Sequence, residues 1–123
     1  MKVEDKLKEL KIEDFIWFIY IGIIILSFYS NSLEEKYYLN NDLKAKDEYQ
    51  RIMIFIFSIL IIVYSYFLKS SFADLKNLNN YDEKKKLLVL ASFIASLLIF
   101  ISGIIFLIIA IFDNNLDVEI AFN

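Results

Sequence analysis

Residues 87–112 read LLVLASFIASLLIFISGIIFLIIAIF, without one Asp, Glu, Lys or Arg. A helix of this length rises about 39 Å, more than the roughly 30 Å hydrocarbon core of a bilayer. Two more uncharged apolar runs lie upstream, at 15–29 and 52–68. All 13 basic and 16 acidic side chains fall outside the three runs. An ionised group at the centre of a bilayer costs several kcal/mol, so this exclusion is what lipid demands. The sequence therefore predicts an all-α integral membrane protein with three transmembrane helices and short flanking helical segments.

The first run is the shortest. As a helix it rises only about 22 Å, so thinning of the bilayer or shelter by other helices is expected. Trp17 and Tyr20 near its start and Tyr29 at its end suit interfacial depths. The lysines of 1–14, the apolar stretch and Ser30-Asn31-Ser32 loosely resemble a signal peptide. The leading segment is as acidic as it is basic and the run is crowded with aromatics, so it is read as a span. The second run is just long enough to cross, with Tyr64 and Tyr66 near one end and Ser58 and Ser65 sharing a face.

The charges between the runs set the orientation. Lys2, Lys6, Lys8 and Lys11 precede the first run, and Lys69, Lys76, Lys84, Lys85 and Lys86 lie between the second and third. With three spans these share a side. The other side holds Lys36, Lys44, Lys46 and Arg51 and nothing basic in the tail. The excess of Lys and Arg belongs inside, which puts the N-terminus inside and the C-terminus outside the cell membrane. The expected order is an amphipathic cytoplasmic segment at 1–14, spans at 15–29, 52–68 and 87–112, an outer loop at 30–51, an inner loop at 69–86 and an outer acidic tail at 113–123.

Local signals refine that order. Val3, Leu7 and Leu10 recur on one helical face, with Glu4 and Lys8 spaced for an i,i+4 pair. Ser32-Leu33-Glu34-Glu35 fits a capping box, and Asn40-Asn41 marks a break after which Asp42 begins a charged helical stretch. Ser71-Phe72-Ala73-Asp74 fits the start of a short helix, unless the second span simply continues. Asn79-Asn80 breaks the pattern, and Asn80-x-x-Glu83 reads as the start of the third helix. In the tail, Leu116, Val118, Ile120 and Phe122 alternate with Asp117, Glu119 and Ala121, the period of a half-buried strand.

The third run carries the one evident packing face. Ser92, Ala95, Ser96, Ser102, Gly103 and Ala110 recur at spacings of 3, 4 and 7. Small residues let helices approach closely, and serine hydroxyls bond across the contact. This face is expected to pack against the other helices of the chain, against a membrane-protein partner or against a second copy.

Absences narrow the chemistry. The chain has no Cys and no His, which removes disulfides, thiolate chemistry and the usual zinc, copper and haem ligands. No span holds the acidic or basic groups that proton relays and coupled transport need. No phosphate loop or nucleophile elbow is present. Asp113, Asn115 and Asp117 match the opening of a calcium loop, but the sixth position is Val118 and no twelfth follows. The predicted chain is not an enzyme and takes no cofactor or metal. The net charge of −3 and the lack of a basic stripe speak against nucleic acid. Lys84-Lys85-Lys86 is a small basic cluster that attracts anionic headgroups or fixes orientation. Zero Pro favours long unkinked helices, and the abundance of Ile, Lys, Asn, Phe and Tyr reflects AT-rich codons, pointing to a bacterial genome. The expected role is an accessory or interaction protein packing against another membrane protein. The competing role is a self-assembling pore or lesion former of the holin kind.

Overall fold

The computed structural model describes residues 3–113 and Leu116, and every regular element in them is helical. Three long helices follow one another: α1 at Val3–Asn40, α2 at Leu43–Lys76 and α3 at Glu83–Phe112, with a short 3-10 turn at Leu78–Asn80. Each is long and apolar enough to cross a membrane. The alternating tail pattern and the calcium-like spacing lie outside the described residues, except for Asp113 and Leu116.

The helices run well past the apolar runs. At about 1.5 Å per residue, the 38 residues of α1 span about 57 Å and the 34 of α2 about 51 Å. The segment 1–14 is no separate element from Val3 onward, because α1 passes through it into the first apolar run. Likewise 30–51 is helical on both sides of a two-residue corner, Asn41 and Asp42. The capping box expected at Ser32 does not form. Ser32 sits inside α1 and its hydroxyl donates to the Tyr29 carbonyl at 2.9 Å. A serine with a continuous helix before it has no free amides to cap, so it bonds backward within its own helix. For the same reason Ser71 starts no new helix, and α2 carries straight on to Lys76.

The breaks have local causes. Asn41 adopts φ 52° and donates its N–H to the Tyr37 carbonyl at 2.8 Å. This left-handed stop is one that asparagine tolerates better than most residues. Asp42 then caps α2, its Oδ1 accepting from the N–H groups of Lys44 at 3.1 Å and Ala45 at 3.2 Å. α3 starts at Glu83, two residues later than a cap at Asn80 would place it, and its cap is Asp82, which accepts from Lys85 N–H at 2.8 Å.

The chain divides into two compact units within α2, between Ile52 and Met53. In the first, α1 buries Ile16, Ile23 and Ser30, seven residues apart, with Leu33 beside them. The start of α2 buries Ala45 and Tyr49. Tyr29 donates its hydroxyl to Glu48 at 2.7 Å, and Lys46 lies over the Tyr37 ring at 5.6 Å. The corner is thus a helical hairpin tied by side chains.

In the second unit, α2 buries Met53, Ile56, Leu60 and Val63. On α3 the partly or fully buried positions include Lys86, Val89, Phe93, Ser96, Phe100, Gly103, Leu107 and Ala110, alternating by three and four. That 3.5-residue period is the spacing that keeps one helix face against its neighbour, as it does in left-handed coiled coils.

Candidate packing faces of the third helix

The six small residues of α3 separate into two sets. Ser96, Gly103 and Ala110 are seven apart and lie on the seam, with Ala110 only 4% exposed. Ser92, Ala95 and Ser102 are exposed.

On the seam, the Ser96 and Ser71 hydroxyls meet at 2.9 Å. Ser71 is 9% exposed, so this is a polar contact largely removed from surroundings and satisfied by its opposite number. Two turns further along, Gly103 faces α2 at Tyr64 and Ile61. Phe93 packs edge-on against Phe72 with ring centroids 6.0 Å apart, and Phe106 meets Phe57 at 5.6 Å. These four contacts fix an antiparallel register. Lys69, two residues before Ser71, therefore stands level with Leu98, two residues after Ser96.

Composition did not reveal Ser71 as the partner of Ser96, because Ser71 lies beyond the end of the second apolar run. Tyr64, near the end of that run, is the side chain that Gly103 faces.

Off the seam, Leu88, Ser92, Ala95, Ile99 and Ser102 repeat the spacing of four and three along a neighbouring strip, and all five are exposed. α3 thus carries two adjacent strips with the same period, one taken up by α2 and one open.

The Asp and Glu side chains of the described residues lie outside the three apolar runs. No group of three or more Asp and Glu side chains is placed to hold a metal ion among the described residues. The hydroxyls of Ser27, Ser30, Ser58 and Ser65 are committed to their own helices. Ser27 donates to the Ile23 carbonyl at 2.8 Å, Ser30 to Ser27 at 2.9 Å, Ser58 to Ile54 at 2.7 Å and Ser65 to Ile62 at 2.7 Å.

Comparison with protein-family models, with curated proteins and with solved structures finds no match to this chain.

Proposed function

We propose that this chain is a three-span protein of the bacterial cell membrane, N-terminus inside and C-terminus outside, that works as an accessory subunit by packing against another membrane protein. The bilayer reading is supported by large apolar side chains left open along all three helices, among them Phe18, Phe28, Ile62 and Ile105. Water would not tolerate so much apolar surface, whereas lipid tails do.

The observation that carries the accessory role is the open strip Leu88, Ser92, Ala95, Ile99 and Ser102. In lipid there is no hydrophobic drive between helices, so close association depends on small side chains that admit a neighbour. α3 has already used one such strip for α2. The pore reading draws less support, since the hydroxyls of Ser27, Ser58 and Ser65 bond to their own backbones.

The test places a photocrosslinking amino acid at Ile99 of the full chain in native membranes. A discrete adduct is expected, lost in Ala95→Leu, while both chains remain in the carbonate-washed membrane pellet. An adduct of twice the chain mass identifies the partner as a second copy. No adduct, or one unchanged in Ala95→Leu, rejects the accessory role. Rapid depolarisation of bacteria on induction would favour the pore.

A further inference from the structure

On α2, Lys69, Phe72 and Lys76 follow one another at spacings of three and four, so the two cations bracket the ring on one face. All three are exposed, and Lys76 Nζ lies 5.0 Å from the centre of the Phe72 ring. Phe72 in turn rests against Phe93 of α3. One turn to either side of Phe93 are Leu90 and Leu97, which are 39% and 38% exposed. Two positive charges from one helix thus stand beside apolar side chains from its neighbour.

Among the described residues the two charges have no counterpart, and neither Lys69 nor Lys76 makes an ion pair. Asp74 is two residues from Phe72 and so about 160° around the helix from it. Glu83 is engaged by Lys86 at 3.5 Å.

Lys69 stands level with Leu98, well inside the third apolar run. A lysine at that depth in a bilayer extends its stem along apolar surface and lifts its ammonium towards the headgroups. Lys76 lies about 10 Å further along the same face, at the rise of an α-helix.

We propose that Lys69, Phe72 and Lys76 of α2, with Leu90 and Leu97 of α3, bind an anionic phospholipid, its phosphate between the two ammonium groups and its acyl chain along the leucines. This rests on the bilayer reading above.

The test uses the full chain, purified in neutral detergent and given equal phosphatidylglycerol and phosphatidylcholine of matched chains, with bound lipid counted by native mass spectrometry. Phosphatidylglycerol is expected to be retained at least about fivefold over phosphatidylcholine, the scale set by one lysine near an anionic surface. The ratio should fall towards one in Lys69→Gln/Lys76→Gln and survive in Lys69→Arg/Lys76→Arg, which keeps charge in case the glutamines disturb folding. Lys44→Gln/Lys46→Gln, at the opposite end of α2, should leave it unchanged. A wild-type ratio near one, or an equal loss in the Lys44/Lys46 variant, overturns the proposal. Failure of the bilayer reading itself would look different: the chain would remain soluble without detergent.

Discussion

Gly103 faces the ring edge of Tyr64, so that a Cβ added to the glycine would stand 3.1 Å from Cδ2 and 3.3 Å from Cε2. The ring must give by a few tenths of an ångström to admit an alanine, and no small shift admits a leucine. Gly103→Leu is therefore expected to cost about 1–3 kcal/mol, the usual range for overpacking a fitted contact. Gly103→Ala should cost clearly less. Unfolding in mixed micelles with increasing dodecyl sulfate measures both, and equal stability of the leucine variant and wild type would refute the contact.

The Ser71–Ser96 pair gives a second expectation. Ser71→Ala and Ser96→Ala should each destabilise, and the double variant should cost less than their sum. Coupling of about 0.6 kcal/mol, up to about 1.7, is the range for hydrogen bonds between helices in lipid. Strict additivity in the same titration would mean that the hydroxyls do not bond.

Gly22 offers the opposite case. Nothing lies within 4 Å of a Cβ built there, and it sits in the interior of α1. Gly22→Ala should raise stability by about 0.5–1 kcal/mol by removing the backbone entropy of glycine from a helix. A loss of stability in the purified chain would show that this face is occupied.

The caps should differ from the helices they start. Asp42→Ala and Asp82→Ala each remove an acceptor for an otherwise unpaired N–H, at about 1 kcal/mol each. Hydrogen exchange should quicken in the first turns of α2 and α3 and nowhere else. Unchanged exchange at Ala45 and Lys85 would argue against the capping role.

The three apolar helices were legible because a chain that folds in water seldom goes so many residues without a charge, whereas one that crosses lipid must. Their ends were legible only in part: Asn40-Asn41 marked the break between α1 and α2, but how far the helices run past the apolar residues did not show. The residues flanking the runs, such as Leu33, Lys36 and Lys44, favour helix as readily as loop, and at the first corner Asn41, with its left-handed backbone, imposes the stop. The capping signal at Ser32 misled because a cap acts only where a chain has already turned, whereas at Ser71 the alternative reading, a second span that simply continues, is the one α2 follows. The small residues of α3 were visible as a group, yet spacings of 3, 4 and 7 alone could not divide them. Ser96, Gly103 and Ala110 keep strict sevens and stay on a seam of period 3.5, while Ser92, Ala95 and Ser102 fall on the adjoining strip. Seeing that division requires the neighbouring helix.

The level placement of Lys69 and Leu98 has an elastic consequence. In the bilayer that the chain is proposed to occupy, the rim between oil and water does not encircle the α2–α3 pair at constant height. It is stepped, lower on the α2 side and higher along α3. Lipids around a stepped rim must stretch on one side and compress on the other, at a fraction of a kcal/mol per ångström of mismatch. That deformation is relieved when a neighbour with a complementary step approaches from the matching side. The membrane itself would then bias which flank of α3 meets a partner before any side chains touch.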